Sequence, residues 1–364
     1  MQLAPLRIGR THAGDGHVLV TWHSLAPTLA LAALATLAVA LFALGLGTVR
    51  IAPTATIAVL LDHVPFISVS GGTATEDAIV WHVRLPRVLL AGMVGATLGL
   101  SGAAYQAVFR NPLAEPYIMG VAAGASVGAT LIIVSPLFVT AGILNPLPLA
   151  AFAGAILAVM LAYGLARAGR GFSTTSLILS GVAISSLGTS IVTYLMLTYS
   201  ERTIAVLNWV LGGFNTAKWL DAGILLPYLV VAILLLLPHA RILNVLQLDE
   251  EQARQLGVNV ERVQVTVLAV ASLATAAAVA VSGLIGFVGL IVPHTVRMIW
   301  GPDYRRVLPL SGFFGASFLI LADLIARTLD PGHEIPIGVV TAVIGAPFFL
   351  FLLRRHSRTI VERA

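Results

Sequence analysis

The side chains that could do chemistry in this sequence are few, and the first to consider is its single lysine, Lys218. A nucleotide-binding Walker A loop needs Gly-Lys followed by Ser or Thr. Lys218 is followed by Trp219, so the chain contains no such loop. Any work driven by ATP must therefore be powered by another subunit.

Carboxylates inside membrane helices are typical of transporters driven by protons or ions. The sequence has 16 Asp and Glu residues, and nearly all of them fall in its polar segments. Asp323 lies well inside an apolar run, and Arg327 follows one helical turn later on the same face. This spacing favours an internal ion pair over a proton relay, and it argues against a self-contained secondary transporter.

The segment Gly124-Ala-Ser126-Val-Gly128 matches the Gly-x-Ser-x-Gly pattern of serine nucleophiles. An intramembrane serine protease would need a histidine base from a neighbouring helix, and His294 is the candidate near an apolar run. Glycines spaced by four residues also form a small-residue face on which another helix packs closely. Packing is the favoured interpretation, and proteolysis is the alternative.

Histidine and cysteine content gives no metal site. The 9 histidines show no pair spaced by four residues and no other metal-site spacing, and the chain has no cysteine. His63 and His82 are the pair of interest, because both belong to a segment that a substrate could reach, but their spacing alone is weak. We expect the chain to bind no metal or other cofactor of its own.

Residues 243–259 form the most distinctive polar stretch. They predict a short amphipathic helix with Asp249, Glu250 and Glu251 in its first turn and Gly257 at its end. The apolar side chains on this segment are Leu246, Leu248, Ala253 and Leu256. A solvated loop helix would not need an apolar face, so the segment is expected to dock to a partner.

Composition decides what surrounds these residues. The chain has 364 residues, 58% hydrophobic and 10% charged, with a mean hydropathy of +0.96. Soluble domains carry about 25% charged residues, so a soluble enzyme and a disordered chain are excluded, and the lipid bilayer is the expected environment. The net charge of +5 is then best explained by cytoplasmic loops, and no nucleic-acid partner is expected.

Ten apolar runs follow one another along the chain, and a membrane span takes roughly 20 residues. They lie near residues 25–49, 85–109, 117–138, 146–166, 174–198, 219–237, 263–282, 284–300, 307–328 and 336–353. The prediction is an all-α polytopic membrane protein with about ten transmembrane helices. A single transmembrane domain, 24–355, would be flanked by cytoplasmic tails, 1–23 and 356–364.

An even number of spans puts both termini on one side of the membrane. If that side is the cytoplasm, six of the 21 Lys and Arg residues face outward and fifteen inward, as the positive-inside rule requires. The six outward cations are Arg50, Arg84, Arg87, Arg202, Lys218 and Arg327. We therefore expect both termini to be cytoplasmic.

Several short motifs, in order, resemble those of a known family, the permease subunits of type II ATP-binding-cassette importers for haem, ferric siderophores and cobalamin. The matching segments are Arg84-Leu-Pro-Arg87, Gly95-Ala96, Ser101-Gly102 with Gln106, Arg110-Asn-Pro-Leu-Ala-Glu-Pro116 with Gly120 and Gly124-Ala125, Trp209-Val-Leu-Gly-Gly-Phe214, Leu256-Gly257-Val258, residues 283–294 with Arg297, and residues 335–341 with Gly345. They extend from about residue 84 to residue 353.

The resemblance implies partners. It implies a homodimer with the translocation path at its two-fold interface, two copies of an ATP-binding-cassette ATPase on the cytoplasmic face, and a periplasmic substrate-binding protein. ATP and Mg would be used by the ATPase, so this chain would not be an enzyme. The location would be a bacterial inner membrane.

The resemblance also implies roles for particular residues. A coupling helix at about 248–257 would seat in the ATPase, through Leu248, Asp249, Glu250, Glu251, Ala253, Arg254, Leu256 and Gly257. Arg84, Arg87 and Arg327 would pair with glutamates of the binding protein, as exposed outer arginines. Asn111, Leu113, Thr174 and Thr175 match positions that line the cytoplasmic gate, as does Ser173.

The function implied is import of haem or another iron chelate from periplasm to cytoplasm. Residues 246–259 and 283–298 look most like those of haem permeases, which favours haem over the alternatives of a ferric siderophore or cobalamin. An ion-coupled secondary transporter is the remote alternative.

Overall fold

The computed structural model describes residues 22–47, 49, 51–66, 72–136, 145–168, 173–248, 250–330 and 332–361. Within these ranges the chain is helical and has no strand, which confirms the predicted all-α class. The predicted N-terminal tail, 1–23, lies almost wholly outside the described residues. The predicted C-terminal boundary at 355 falls inside a helix that continues to Val361.

Fourteen α-helices make up the described part of the chain when Ala74–Val108 is taken as one continuous helix. They are α1 (Trp22–Gly45), α2 (Pro53–Asp62), α3 (Ala74–Val108), α4 (Val121–Val134), α5 (Pro146–Arg167), α6 (Thr174–Thr198), α7 (Thr203–Val210), α8 (Trp219–Leu236), α9 (Ala240–Val245), α10 (Glu250–Gln255), α11 (Val260–Ser282), α12 (Val288–Trp300), α13 (Tyr304–Thr328) and α14 (Ile337–Val361).

Seven of these helices are long and apolar enough to cross a membrane, namely α1, α3, α5, α6, α8, α11 and α13. The helices α4 and α12 and the apolar part of α14 are shorter, and they coincide with the other three predicted runs. Each of the ten predicted apolar runs therefore overlaps a helix in the described part of the chain. At about 1.5 Å per residue, α4 and α12 are shorter than the roughly 30 Å of a hydrocarbon core.

A 3-10 turn, Pro116–Met119, precedes α4 and a non-helical segment precedes α12, and the two hydrogen-bond to each other. The Tyr117 hydroxyl donates to the carbonyl of Ile285 at 3.0 Å and lies 3.2 Å from the Ile285 N–H. Non-helical backbone is tolerated at membrane depth only where the protein itself satisfies its polar groups. The paired segments meet that condition.

Helix α3 lies at the centre and packs most closely on α13. A Cβ atom added at Gly95 would lie 2.1 Å from the Gly315 carbonyl oxygen, and one at Gly99 would lie 2.2 Å from that of Ser311. Only glycine allows backbones to approach so closely, which is the role of small residues spaced by four in membrane helices.

Helices α4 and α5 form a second close pair. Cβ atoms added at Gly124 and Gly128 would lie 2.2 Å and 2.0 Å from the carbonyl oxygens of Gly154 and Ala150. The hydroxyl of Ser126 donates to the Ala122 carbonyl one turn earlier, at 2.9 Å. The packing interpretation of these glycines is confirmed.

Two hydrogen bonds define the ends of the helix bundle. Trp219 at the start of α8 donates its Nε1–H to the Trp81 carbonyl at 3.2 Å. Gln247, which follows α9, donates its Nε2–H to the Ala107 carbonyl near the end of α3 at 3.1 Å. We call these the Trp81 end and the Ala107 end. The positive-inside rule assigns the Ala107 end to the cytoplasm, and this sidedness stays a prediction.

Candidate functional site

The polar stretch at 243–259 lies at the Ala107 end and contains the end of α9 and all of α10, instead of one helix. The predicted coupling helix at about 248–257 overlaps α10. Gly257, two residues after the end of α10, adopts φ +79°. The Gly257 N–H donates to the Arg254 carbonyl at 2.8 Å, and the Val258 N–H donates to the Ala253 carbonyl at 3.1 Å. This is a Schellman ending, which favours glycine at the left-handed position. Gly257 therefore ends the helix as predicted.

The apolar side chains of this segment do not form one face. Leu246 and Ala253 are buried in the helix core, whereas Leu248 is 42% exposed and Leu256 is 64% exposed. The expectation of a single exposed apolar face is therefore wrong, because half of it anchors the segment to its own chain. Leu248 and Leu256 are the apolar side chains left for a partner.

The charged coupling residues fall around α10. Glu251 and Arg254 are exposed. Glu250 begins α10, and Asp249 lies outside the described residues. Of the predicted coupling residues, a partner could therefore contact two exposed leucines and two exposed side chains of opposite charge, Glu251 and Arg254.

The coupling segment is tied to the start of α13 through Asn244. Its Nδ2–H donates to Asp303 Oδ1 at 2.7 Å, and its Oδ1 accepts the Tyr304 N–H at 2.9 Å. Burial alone would raise the pKa of Asp303, but hydrogen bonds from Arg305 and Asn244 hold it below its ordinary value. These two hydrogen bonds fix the end of α9 to the start of α13.

The first pair of gate residues lies in the turn after α3. Asn111 is exposed, and its Oδ1 accepts the Leu113 N–H at 2.9 Å. Leu113 is half-buried. Arg110, immediately before, adopts φ +48°, a conformation uncommon for residues other than glycine. The turn is a defined structure at the Ala107 end, and its gating role stays a prediction.

The second pair lies at the start of α6, where Ser173 occupies the N-cap position. Thr174 is half-buried and Thr175 is exposed. Farther along α6, the helix packs closely on the 3-10 turn at Pro116–Met119, since a Cβ at Gly181 would lie 2.0 Å from the Ile118 carbonyl oxygen. The backbone of this turn is therefore in direct contact with the backbone of α6.

An open groove of about 570 Å³ lies along α6. Its lining is Ile118, Ile178, Val182, Ser185, Ser186 and Thr189. Three hydroxyl side chains on an exposed helix face are unlike the purely apolar surface that lipid prefers. This face of α6 is suited to line a path that polar cargo enters.

Glu115 is a functional candidate that sequence reasoning missed. Its carboxylate accepts the Phe287 N–H at 2.9 Å, and Phe287 adopts φ +69° at the start of α12. Burial raises the pKa of Glu115, although this hydrogen bond opposes the rise. The residue lies within the matched Arg110–Pro116 motif, but the motif gives no sign of its distant partner. Together with Tyr117, it locks the turn after α3 to the start of α12.

A buried ion cluster occupies the Trp81 end. Arg87 lies 2.9 Å from Asp323 through its Nη2, and 2.9 Å from Glu334 through its Nη1. Arg327 lies 3.5 Å from Asp323 through its Nε. The predicted Asp323–Arg327 ion pair is confirmed, and sequence spacing missed Arg87 and Glu334 as further members.

The exposed location predicted for the three outer arginines is wrong. Arg84, Arg87 and Arg327 are 5%, 8% and 7% exposed. Arg84 donates to the carbonyls of Leu44 and Val49, and Arg327 donates to the carbonyl of Ala43. These arginines have partners inside their own chain, because the end of α1 offers unpaired carbonyls beside them. Direct docking of these arginines to a binding protein stays a prediction. Their burial argues against it.

Comparison with known proteins agrees with this architecture. The model of the FecCD transport family matches residues 34–355. The chain is 45% identical over 284 residues, 78% of its length and 75% of the relative's, to the cobalamin import system permease protein BtuC of Halobacterium salinarum. It is 39% identical over 301 residues to the hemin transport system permease protein HmuU of Yersinia pestis, covering 78% of this chain and 86% of that one.

A solved structure has the same fold. A metal-chelate type ABC transporter in an inward-facing conformation aligns with a TM-score of 0.78 and 32% identity, over 91% of this chain and 99% of that chain. Helix order, family model and relatives thus agree over most of the sequence. The chain belongs to the FecCD transport family and is a multi-pass membrane permease of the type II ATP-binding-cassette importers.

Proposed function

We propose that this chain is the membrane subunit of an ATP-driven importer that moves haem, or another iron chelate, from periplasm to cytoplasm across a bacterial inner membrane. The observation that carries the proposal is the segment at the Ala107 end. Leu248 and Leu256 are exposed there on a segment that is anchored through Leu246, Ala253 and Asn244. An apolar pair on a rigidly held polar segment is what a partner subunit needs in order to transmit motion.

That partner is a separate ATPase, present in two copies, which binds ATP and Mg. The absence of a Walker lysine in the whole sequence supports this assignment, since Lys218 is the only lysine and is followed by Trp219. Asp323 does not serve as a proton site in this proposal, because two arginines neutralise it. Ion-coupled transport by the chain alone is therefore disfavoured.

We further infer a homodimer with its path between the two copies. The support is α6, where Ser186, Thr189 and Ser190 are exposed together with apolar side chains. Hydroxyl groups on the outside of one copy are suited to face water once a second copy covers them. Asn111, Leu113, Thr174 and Thr175 would then lie at the cytoplasmic mouth of the path.

The proposal also names the transported chelate. Relatives are named for cobalamin, hemin and Fe(3+)-citrate import, and haem is favoured by the segments at 246–259 and 283–298. A periplasmic binding protein would deliver the cargo to the Trp81 end. Ferric-siderophore or cobalamin import by the same architecture is the second candidate.

Reconstitution into vesicles tests this proposal. The chain with its ATPase and binding protein is expected to take up haem only when ATP is present on the ATPase side, and the chain alone is expected to take up none. Gradient-driven uptake by the chain alone would refute the proposal.

A pair of leucine variants tests the coupling segment. Leu256→Ala is expected to lower ATP-driven uptake and ATPase binding by roughly tenfold, as the loss of an anchoring side chain at an interface costs about 1–2 kcal/mol. Leu329→Ala is the matched control, since Leu329 is 67% exposed at the other end of the bundle and Leu256 is 64% exposed. Equal effects of the two substitutions would contradict the coupling role.

A further inference from the structure

A group of three aromatic rings lies at the Trp81 end, apart from the coupling segment and the ion cluster. His63, at the end of α2, stacks on Trp81 with ring centroids 3.8 Å apart and an interplanar angle of 15°. Trp81 in turn contacts Trp219, with centroids 5.4 Å apart. Trp219 is 40% exposed. We call His63, Trp81 and Trp219 the aromatic shelf.

The backbone beneath the shelf is unusual and firmly packed. Trp81 lies in a π-helical stretch, Ala78–Arg84. Such stretches are rare and occur frequently at functional sites, because the wider turn redirects side chains. Helix α2 is held on this stretch by Val59 and Val80, both buried in one apolar cluster. The shelf is therefore a fixed arrangement of rings.

The contacts of His63 determine which ring nitrogen carries the proton. Its Nδ1 lies 3.1 Å from the Val59 carbonyl oxygen and 3.6 Å from Asp77 Oδ1. Both neighbours can only accept a hydrogen bond, so Nδ1 carries the hydrogen. In the neutral ring Nε2 then keeps its lone pair. The imidazole side chain is 28% exposed, on the rim of the shelf.

This is the arrangement of a metal-ligating histidine. Such histidines donate their second ring N–H to a backbone carbonyl or a carboxylate, which fixes the ring and increases its basicity. His63 donates to the Val59 carbonyl, and the Asp77 carboxylate lies nearby at 3.6 Å. Among the residues that the structure describes, however, no group of three His, Cys, Asp or Glu side chains could hold a free metal ion. A metal bound here must arrive with most of its ligands already in place.

We propose that His63 binds an iron porphyrin as an axial ligand through Nε2. The macrocycle then lies across the imidazole edge, and Trp81, whose ring is within 15° of the His63 plane, meets it edge-on. An iron porphyrin has axial positions open to a protein imidazole, and the face of its extended aromatic ring accepts edge-on contact from a partly exposed tryptophan. A ferric chelate whose own ligands fill the coordination sphere would gain nothing from His63. The shelf is thus a first contact for haem leaving its binding protein, and this inference rests on the proposed import function.

Helix capping and interfacial anchoring would explain parts of the shelf. A histidine at a helix end donates to a carbonyl one turn earlier, and tryptophans collect at membrane interfaces. A second histidine of the chain provides a control for the helix-capping explanation. His239, after α8, lies 2.6 Å through Nδ1 from the Leu235 carbonyl oxygen, and the structure gives it no ring contact and no carboxylate partner among the described residues.

A titration of the full-length chain in nanodiscs with haemin tests the proposal, followed by absorbance and electron paramagnetic resonance. The wild-type chain and His239→Gln are expected to show the spectrum of imidazole-bound ferric haem. His63→Gln keeps a donor for Val59 but removes the ligand, so haemin is expected to bind at least about tenfold more weakly without that spectrum. Metal-free protoporphyrin IX is expected to bind wild type and His63→Gln equally.

Three results would overturn the inference: no imidazole-bound spectrum in the wild-type chain, unchanged haemin binding by His63→Gln, or an equal loss of affinity for both porphyrins. The import assay separates this failure from failure of the proposed function. ATP-driven uptake of any chelate by the assembled complex would leave the import function standing while the ligand role of His63 fell.

Discussion

Asp323 is predicted to be the residue on which the stability of the Trp81 end depends. It is 1% exposed, and its carboxylate lies 2.9 Å from Arg87 and 3.5 Å from Arg327. Asp323→Asn preserves size and one acceptor but leaves two buried guanidinium groups facing a neutral amide. Removing one partner from a buried ion pair costs about 3–5 kcal/mol. We expect the free energy of unfolding to fall by about that amount.

Glu334→Gln is the matched control for this prediction. It is the same chemical change on the second carboxylate of Arg87, but the Glu334 side chain is 47% exposed. Exposed ion pairs contribute about 0–1 kcal/mol, because water screens them. Both variants should be unfolded by titration with dodecyl sulfate in mixed micelles, followed by tryptophan fluorescence.

The difference between the two variants tests the reasoning. Asp323→Asn should unfold at a distinctly lower detergent fraction than Glu334→Gln, and Glu334→Gln should stay close to wild type. Equal costs, or a cost below about 1 kcal/mol for Asp323→Asn, would show that water screens the cluster as it would a surface pair. The arginines would then be available to a binding protein, and direct docking would regain support.

Two further predictions concern packing and pH. Gly95→Ala should destabilise the chain by about 1–3 kcal/mol, since its Cβ would lie 2.1 Å from the Gly315 carbonyl oxygen. Gly223→Ala, which meets nothing within 4 Å in α8, should be neutral or slightly stabilising in the same unfolding titration. Burial raises the pKa of Glu115, so the folded chain keeps that proton to higher pH than the unfolded chain does. Stability from this group is therefore greatest at low pH and falls as pH rises through the raised pKa. Glu115→Gln should flatten that dependence in unfolding titrations across weakly acidic pH, and an unchanged slope would contradict the assignment.

The helices were predictable because the bilayer imposes a local requirement. Apolar runs of sufficient length must be helical in lipid, and the run at 174–198 coincides with α6, Thr174–Thr198. The Asp323–Arg327 pair was predictable for a related reason, since a spacing of four residues is set by the helix itself. Local rules thus gave the elements and the contacts within them.

Contacts between distant segments were not predictable from one sequence. Arg87 and Asp323 are 236 positions apart, and nothing in either local segment indicates their pairing. Arg84 is buried at the end of the π-helical stretch Ala78–Arg84. The periodicity of apolar residues in the sequence does not predict such a stretch. In the coupling segment, Leu246 and Leu248 look alike in sequence, and only the packing of the whole bundle buries the first and exposes the second.

The crossing of α3 and α13 has a consequence for how such a machine changes shape. With carbonyl oxygens seated where side chains would stand, at Gly95 and at Gly315, neither helix can slide or roll on the other without a collision. We expect α3 and α13 to keep the same relative position throughout transport. The movements that open and close the translocation path must then come from helices outside this pair.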